Sequence, residues 1–336
     1  MQFPAALATA IASAVEAFTG QPFHVSTAQP VGGGCIHEAW RLDDGLRSFF
    51  VKTGPTTAAA AFDAEADGLN ALRATGTVRV PKVGAGGTAL AGSPRDMGTA
   101  LAGSPRDMGT ALAGSPRDTG TAATHRAFLI LEFLELRDLD RTGGAALGEA
   151  LARLHRESGI AADATYGWPR DNFIGGTPQS NQSQRTWAGF FSAERLRPQL
   201  TLASANGMER GLRDQGEQIA ERLSALFLDY RPLPSLLHGD LWSGNAAQLE
   251  DGTPVIFDPA VYRGDREADI AMAELFGGFP ESFYAAYRAA WPLDPGYETR
   301  KTLYNLYHVL NHFNLFGAGY LGQARRMIAR LNAELR

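Results

Sequence analysis

One segment of the chain brings two acids and an amide close together in sequence. In "LLHGDLWSGNAAQLEDGTPVIFDPA", residues 236–260, Asn245 follows Asp240 after five positions and Asp258 follows Asn245 after thirteen. Phosphoryl transfer from ATP requires a carboxylate near the acceptor hydroxyl, and carboxylate and amide oxygens that bind Mg²⁺. Each acid alone could cap a turn. Together with His238, the pattern predicts Asp240 as the catalytic base and Asn245 and Asp258 as magnesium ligands.

A lysine and an acidic residue earlier in the chain fit the same chemistry. Lys52 closes the apolar run "FFV", so we expect its aliphatic stem to be buried and its amine to point at phosphates. An exposed lysine at a strand end would only aid solubility. The following helical segment, "FDAEADGL", contains Asp63, Glu65 and Asp67. Each of these three acids could form the ion pair with Lys52 that kinase-like sites use.

Three consecutive glycines precede the strand that carries the lysine. Gly32, Gly33 and Gly34 would let backbone N–H groups approach phosphates, although glycines are also common in β-turns. Their position two strands before Lys52 favours phosphate binding. Cys35, the one cysteine of the chain, follows directly. It is either a small residue that suits a tight turn or a redox-sensitive thiol able to bridge two chains.

The elements that must position these groups change from strands to helices along the chain. A helix over 5–18 precedes strands in "VSTAQPV", "IHEAWRL", "RSFFVKT", "VRVPKVGAG" and "HRAFLILEFLEL", with one helix around Glu65. The last strand leads into three residues that would contact an adenine edge with their backbone groups: Glu132, Phe133 and Leu134. These residues are the predicted hinge between two lobes.

The remainder of the chain has helical apolar spacing, including "GGAALGEALARLHRES" and the segments 266–290 and 298–334. The strands around Asp240 interrupt this helical pattern. The sequence therefore predicts an α+β chain with a β-rich N-lobe over 1–133 that has one main helix. A mostly helical C-lobe over 134–336 would carry a catalytic β-hairpin.

An eleven-residue repeat separates the last two predicted N-lobe strands. "GTALAGSPRDM" at 87–97 recurs at 98–108 and, as "GTALAGSPRDT", at 109–119. The period is too short for helical solenoid repeats, and each unit contains Gly, Ser and Pro, which interrupt regular structure. We interpret the block, 87–119, as a tandem duplication that lengthens a surface loop. A ligand-binding repeat or a small hairpin is the alternative.

Composition and charge restrict the classes of protein to consider. The chain has 336 residues, of which 44% are hydrophobic, and a net charge of −5. The length suits two lobes, and the negative charge gives no electrostatic footprint for nucleic acid. A single cysteine suits a reducing compartment, and no apolar window reaches the length of a membrane span. We therefore expect a cytoplasmic protein that binds neither nucleic acid nor membranes.

Four segments resemble the fructosamine kinase (ketosamine-3-kinase) family. They are "HGDLWSGN" at 238–245, "GGGCIHEAW" at 32–40, "YGWPRDNFIGGTPQSN" at 166–181 and "LYNLYHVLNHFNLFG" at 303–317. The likeness covers nearly the whole chain. Trp242 is specific to this family pattern, because related aminoglycoside and choline kinases share the acid and the amide but vary at the tryptophan. The repeat block has no counterpart in the family.

The resemblance implies a bilobal, protein-kinase-like fold that uses ATP and Mg²⁺ to phosphorylate a sugar hydroxyl of a ketosamine. The acceptor would be a free glycated amine or a glycated lysine of a protein, and breakdown of the phosphorylated adduct would release the amine as deglycation repair. The resemblance matches Asp240 with the proton acceptor, Lys52 with the phosphate-contacting lysine and Glu65 with its partner. It matches residues 132–134 with the nucleotide-contacting hinge.

Aromatic faces suit the protonated amine of a ketosamine. The candidates for substrate contact are Trp242, Trp187, Asn172 and His312, with core packing as the alternative for the two tryptophans. His308 and His312 are four positions apart on a predicted helix. However, "HVLNH" lacks the glutamate of HExxH and an evident third ligand, which favours core or cleft lining over zinc.

Other functions stay open on the sequence alone. A kinase for aminoglycosides, choline or another small alcohol would use the same acids, and a catalytically silent scaffold would bind ATP without transfer. The intact Lys52, Asp240, Asn245 and Asp258 argue against the scaffold. The repeat block could instead serve an interaction protein. The identity of the sugar stays open, and we expect a monomer or a weak dimer, the latter through a Cys35 disulfide.

Overall fold

The computed structural model describes most of the chain, namely residues 3–32, 37–90, 125–160 and 165–336. The predictions for Gly33, Gly34 and Cys35 lie outside the described residues, as does the loop prediction for the repeat block beyond residue 90.

Two compact units are distinguished within the described residues. The first unit includes the residues up to Phe62 and those from Gly84 to Leu131. The second unit consists of Asp63–Val83 and the residues from Glu132 onward. Each unit has its own secondary structure and is described separately.

The first unit is built on a five-stranded sheet with strand order β1-β2-β3-β5-β4. Helix α1 (Ala5–Thr19) precedes the sheet. The strands are β1 (Thr27–Val31), β2 (Glu38–Asp43), β3 (Ser48–Pro55), β4 (Val83–Leu90) and β5 (His125–Glu132). The helix and the order of the strands along the chain agree with the sequence prediction.

One face of α1 belongs to the core of this unit. Leu7, Ile11 and Val15 recur at four-residue spacing and are buried, as expected for side chains that share a helix face. They belong to the same apolar cluster as Trp40 of β2 and Val51 of β3. The helix ends at Gly20, which adopts the left-handed conformation that commonly terminates helices.

The strand predicted at "VRVPKVGAG" begins later than expected and extends further. Proline has no N–H group to offer to a strand partner, and β4 begins only after Pro81, at Val83. The strand then includes residues 87–90, so the loop prediction is wrong for this start of the repeat block. Gly84 and Gly87 permit close packing, since a Cβ atom would lie 3.3 Å from Ile130 and 3.1 Å from Phe128, respectively.

A single long helix lies between β3 and β4. Helix α2 (Ala59–Ala74) follows a short 3₁₀ turn (Thr56–Ala58). The predicted apolar residues of this helix, Phe62, Leu69 and Leu72, are each 2% exposed or less. Burial of this stripe confirms the helix that was predicted around Glu65.

The second unit is mainly helical. Its helices are α3 (Arg141–Ile160), α4 (Trp187–Phe190), α5 (Arg197–Ala205), α6 (Arg210–Arg222), α7 (Glu267–Phe276), α8 (Glu281–Ala290), α9 (Tyr297–Phe316) and α10 (Leu321–Glu334). Leu147, Leu151 and Leu154 are fully buried on α3, as their helical spacing predicts. Helix α3 packs against α8, and α7 packs against α9.

Glycines divide the two long helical segments near the C-terminus. Helix α7 ends at Phe276, where Gly277 and Gly278 have φ values of +67° and +93°. Helix α9 ends at Phe316, and Gly317 has a φ of +88°. Positive φ suits glycine and terminates a helix.

Short strand pairs interrupt the helices of the second unit. Each pair is antiparallel: β6 (Asn172–Ile174) with β7 (Thr177–Gln179), β8 (Ser235–Leu237) with β11 (Tyr262–Gly264), and β9 (Ala246–Gln248) with β10 (Pro254–Ile256). The predicted hairpin is therefore nested, because β9 and β10 lie between β8 and β11 in sequence. Among the described residues, no helix has the length and apolar character that a membrane span requires.

Candidate active site

The two nested strand pairs place the predicted catalytic residues in the loops between them. Strand β8 leads into His238, Gly239 and Asp240, and a 3₁₀ turn (Ser243–Asn245) leads into β9. The backbone N–H of Ala260 donates to the carbonyl of His238, at 2.8 Å, and joins the ends of β8 and β11. The N–H of Phe257 donates to the carbonyl of Asn245, at 3.1 Å. Residues distant in sequence are thereby held together.

Asp240, Asn245 and Asp258 lie in one cluster. The amide nitrogen Nδ2 of Asn245 donates to the backbone oxygen of Asp240, at 2.9 Å, and lies 3.4 Å from carboxylate oxygen Oδ2 of Asp240. The same nitrogen lies 3.5 Å from the backbone oxygen of Asp258. Asn245 is 5% exposed. The structure therefore brings together the three residues at which the sequence predicts a base and two metal ligands.

Burial and like charge raise the pKa of the Asp240 carboxyl group to about 7. Burial is the larger cause, and the nearby charge of Asp258 adds to it, while the hydrogen bond from Asn245 acts in the opposite direction. A carboxylate with a raised pKa is a stronger proton acceptor than an ordinary one. The environment of Asp240 therefore suits a group that receives the proton of a hydroxyl.

The donor atoms of the cluster fit a magnesium ion. Because Nδ2 of Asn245 is the hydrogen-bond donor, its Oδ1 remains as an oxygen that can face a cation. Carboxylate and amide oxygens are the protein ligands that Mg²⁺ prefers. The negative charges of Asp240 and Asp258 repel each other, and a bound cation would reduce this repulsion.

His238 supports the loop as a neutral side chain. Its Nε2 atom donates to the carbonyl oxygen of Phe257, at 2.9 Å, and its Nδ1 atom accepts from the N–H of Asp240, at 3.3 Å. Only the neutral Nε2–H tautomer can make both bonds. Complete burial lowers the pKa of His238, which agrees with this state.

Two backbone conformations in the cluster are unusual. Gly239 has a φ of +81°, and a Cβ atom at this position would lie 2.1 Å from the carbonyl oxygen of Ala260. This close approach explains why glycine stands between His238 and Asp240. Asp258 has a φ of +55°, the one positive value among the described residues other than glycine. Aspartate tolerates this region better than most residues.

Asp269 holds the catalytic loop through hydrogen bonds to its backbone, and the sequence did not predict this role. This residue lies on α7, is 1% exposed, and accepts hydrogen bonds from the backbone N–H groups of His238 and Gly239, at 2.8 and 2.9 Å. Burial alone would raise its pKa, but hydrogen bonds and charge from His155, with His238 and Gly239, hold that pKa below its ordinary value. An acid in the apolar stretch "ADIAMA" was the available signal.

A chain of buried hydrogen bonds continues from Asp269. Nε2 of His155 lies 3.1 Å from the Asp269 carboxylate, and Nδ1 lies 2.9 Å from the hydroxyl of Tyr287. Nη1 of Arg266 donates to that hydroxyl, at 3.2 Å. Helices α3, α7 and α8 therefore share one polar network that ends at the backbone of the catalytic loop.

Lys52 belongs to the first unit. It lies on β3 opposite Ala39 of β2 and is 9% exposed. This burial agrees with the expectation that its aliphatic stem is covered. Gly32 follows the end of β1 at Val31 and precedes β2 and β3, so the start of the glycine run comes two strands before Lys52, as the sequence predicts.

The surroundings of the three acids on α2 differ. Asp67 accepts a hydrogen bond from the indole nitrogen of Trp168, at 2.8 Å, and Asp63 is exposed. Glu65 is half-buried. Its role as the partner of Lys52 therefore stays the preferred prediction among the three.

The predicted hinge residues follow directly from β5. Glu132 ends that strand, and its backbone N–H donates to the carbonyl of Lys82, at 2.8 Å. Its carboxylate pairs with Arg79, at 2.6 Å. The boundary between the two units falls between Leu131 and Glu132, immediately before Phe133 and Leu134.

Burial argues against direct substrate contact by two of the predicted substrate residues. Trp187 is 3% exposed, stacks with Phe190 and donates to the hydroxyl of Tyr304, at 3.1 Å. Asn172 is 4% exposed and donates to the carbonyl of Val261, at 2.7 Å. Their packing favours the core interpretation, and both residues support the elements around the site.

Trp242 and His312 are only partly buried. A Cβ atom at Gly244 would lie 2.2 Å from the Trp242 ring, so the tryptophan covers the backbone of the catalytic loop. Nδ1 of His312 donates to the carbonyl of His308, one helical turn earlier, at 2.8 Å. Both residues therefore keep a surface that a substrate could contact.

Comparison with known protein families identifies the family to which this chain belongs. The sequence profile described as "Fructosamine kinase" matches residues 7–334. The chain belongs to the fructosamine kinase family. The match spans nearly the whole chain, and membership in this family accounts for the chemistry that the clustered acids and amide suggest.

Individual members of the fructosamine kinase family agree with this assignment. A probable ketoamine kinase from a Synechocystis species is 42% identical over 318 residues, which cover 95% of this chain and 94% of that protein. A chloroplastic protein-ribulosamine 3-kinase from rice is 36% identical over 312 residues, or 92% of this chain and 80% of that protein. Both likenesses therefore extend over most of the chain.

A solved structure of the family confirms the fold. The crystal structure of a putative fructosamine-3-kinase from Haemophilus somnus aligns with a TM-score of 0.77 and 29% identity, covering 96% of each chain. The predicted α+β, protein-kinase-like fold is therefore correct. A kinase of this family uses ATP as the phosphoryl donor. The prediction of ATP as the nucleotide is therefore supported by family membership.

Proposed function

We propose that the chain catalyses ATP-dependent phosphorylation of a sugar hydroxyl of ketosamines. The observation that carries this proposal is the cluster of Asp240, Asn245 and Asp258 in a chain of the fructosamine kinase family. Fructosamines and ribulosamines, either free or attached to protein lysines, are the proposed acceptors. Breakdown of the phosphorylated product would release the amine and reverse glycation.

Asp240 is the proposed proton acceptor. Its carboxylate is buried beside Asp258 and carries a raised pKa, so it favours uptake of a proton from the acceptor hydroxyl. Asn245 orients Asp240 through the hydrogen bond to its backbone. Asp269 fixes the preceding residues of the loop. The chain thus holds the base in place before any substrate arrives.

The proposed cofactor is Mg²⁺, held by Asn245 and Asp258, and when bound it would neutralise charge on the phosphates of ATP. Lys52 and the glycine run from Gly32 are the proposed phosphate contacts. Glu65 is proposed to orient Lys52. The backbone of residues 132–134 is proposed to contact the adenine. The burial of the Lys52 stem supports its part of this assignment.

The family match favours ketosamines over aminoglycosides and choline as acceptors, because it extends through Trp242 and across nearly the whole chain. The location in the cytoplasm and the state as a monomer or weak dimer stay predictions from the sequence. The same holds for the division into lobes at residue 133.

The proposal is tested by coupling ADP formation to fructose-lysine and ribulose-lysine as acceptors. We expect turnover by the wild type and a loss of about 10²- to 10⁴-fold in kcat for Asp240→Asn, the usual scale for a positioned acid–base group. Asp251→Asn is the matched control, because Asp251 lies in the exposed turn between β9 and β10. Turnover of an aminoglycoside but of neither ketosamine would reverse the choice of substrate.

A further inference from the structure

Four aromatic rings meet where helices α7 and α9 end. The ring of His312 lies 4.9 Å from Phe276, 5.5 Å from Phe316 and 5.1 Å from Tyr320, measured between ring centroids. Phe316 and Tyr320 lie 6.4 Å apart. His312 is the centre of this group, which we call the aromatic cluster.

The aromatic cluster is unusual because much of it is open to solvent. Phe276 is 43% exposed and Phe316 is 56% exposed. Large aromatic residues that share an exposed surface commonly mark an interaction site rather than a core. The cluster therefore has a surface on which a ligand can lie.

Electrostatics favour a positively charged ligand at this surface. Phe276 is the last residue of α7 and Phe316 is the last residue of α9. The C-terminus of a helix carries partial negative charge, and the face of an aromatic ring attracts cations. Two independent sources of negative potential therefore converge on the cluster.

His312 adds a hydrogen-bond acceptor without adding charge. Since its Nδ1 atom donates to the carbonyl of His308, Nε2 of the neutral ring is an acceptor. Burial lowers the pKa of His312, which favours this neutral form. A protonated amine could thus donate to Nε2 while it lies against the rings.

The segment that follows Phe276 packs on the catalytic loop. Gly278 lies two residues beyond Phe276 and packs on Ser243, because a Cβ atom at Gly278 would lie 2.3 Å from Oγ of Ser243. Ser243 is the third residue after Asp240 and directly follows Trp242. The end of α7, where Phe276 lies, is therefore adjacent to the loop that carries the proposed base.

We propose that Phe276, His312, Phe316 and Tyr320 form a subsite for the protonated amine of the ketosamine and the carbon chain attached to it. The inference rests on the proposed function and adds the part of the substrate that lies beyond the sugar. Because Phe316 is exposed, the carbon chain can leave the subsite toward solvent. A free amine and a glycated lysine of a protein would then bind in the same way.

The test uses two matched substrates and two matched variants. N-butyl fructosamine carries the cationic amine, and 1-O-butyl fructose replaces that nitrogen with a neutral ether oxygen. Phe316→Leu keeps apolar bulk but removes the ring, and Phe18→Leu makes the same change at a similarly exposed phenylalanine (52%) on α1. Steady-state kinetics are measured for each variant with each substrate. Where turnover of the ether is slow, its inhibition constant is measured instead.

We expect Phe316→Leu to raise the KM for the amine about fivefold, the scale of one cation–π contact. The affinity for the ether, the KM for ATP and kcat should stay within about twofold, and Phe18→Leu should match the wild type in all of these. Equal losses for amine and ether, or no change in KM, would overturn the subsite while the proposed function stands. Absence of ketosamine turnover by the wild type would overturn both.

Discussion

At Gly239, the position of the catalytic loop depends on the absence of a side chain. The residue has a φ of +81°, and an added Cβ atom would lie only 2.1 Å from the carbonyl oxygen of Ala260. That carbonyl belongs to the segment between Asp258 and β11. An added methyl group must therefore displace one of the two loops that carry the predicted site residues.

We predict that Gly239→Ala lowers the free energy of unfolding and abolishes measurable activity. Gly252→Ala is a matched control, because Gly252 has a φ of +84° but nothing lies within 4 Å of its Cβ position. The control should lose about 1–2 kcal/mol from backbone strain alone and keep its kcat. Urea denaturation and steady-state kinetics measure both effects, and equal stability of the two variants would contradict the role of the close contact.

Among the helices, α7 connects the helical core to the catalytic loop. Asp269 lies on this helix and accepts from two consecutive backbone N–H groups, while His155 of α3 contacts the same carboxylate. Hydrogen bonds to a charged group contribute about 1.5–3 kcal/mol each. Helices α3 and α7 thus determine where the loop lies.

We predict that Asp269→Asn lowers kcat at least about tenfold, because it displaces His238 and Gly239 and, with them, the proposed base Asp240. An amide can accept one of the two N–H groups but presents a donor to the other. Glu274→Gln on the same helix is the control, since it removes partly exposed ion pairs with Arg288 and Lys301. A fall in stability without a change in kcat would show that Asp269 is merely structural.

The sequence identifies those elements whose signals are local. The apolar stripe of α1, the strand that ends at Lys52 and the Asp240–Asn245 spacing all follow from periodicity or motif. Asp269 could not be found in this way, because its partners are backbone groups of a loop about thirty residues earlier. The acid in the apolar stretch "ADIAMA" indicates a buried charge, but the sequence does not show which distant groups it bonds.

Burial of polar and aromatic candidates was also difficult to predict. Trp187 and Asn172 lie in segments rich in polar and aromatic residues, but their side chains pack inside the unit. Phe276 and Phe316 show the opposite case, since both are large apolar residues of helices but the ends of α7 and α9 leave them exposed. The exposure of a side chain at a helix end depends on tertiary packing, so it cannot be predicted from amino-acid composition.

A buried histidine couples the folding stability of the protein to pH. Burial lowers the pKa of His308 to about 3, and the charge of His312 adds to this shift. The unfolded chain binds a proton near the ordinary value of 6.5, whereas the folded protein does not. The contribution of the neutral side chain is therefore complete above pH 6.5 and is lost as the pH falls toward 3.

We predict that His308→Gln weakens the loss of stability on acidification. Between pH 7.5 and 5.5 the wild type should lose about 1 kcal/mol more than the variant, since one histidine contributes at most about 1.4 kcal/mol per pH unit. Urea unfolding at a series of pH values measures how the free energy of unfolding of each protein changes with pH. This comparison does not depend on the absolute stability of the variant. Parallel pH profiles would contradict the burial of a neutral His308.

We propose above that this protein transfers a phosphoryl group from ATP to a ketosamine hydroxyl, with Asp240 as proton acceptor. The most direct measurement is phosphorus NMR of wild-type reactions with ATP, Mg²⁺ and fructose-lysine, repeated with Asp240→Asn and Asp251→Asn. On this proposal we expect one sugar phosphate ester for each ADP in the wild type and in Asp251→Asn, and almost none in Asp240→Asn. Equal ester formation by Asp240→Asn, or ADP without an ester in the wild type, would contradict it.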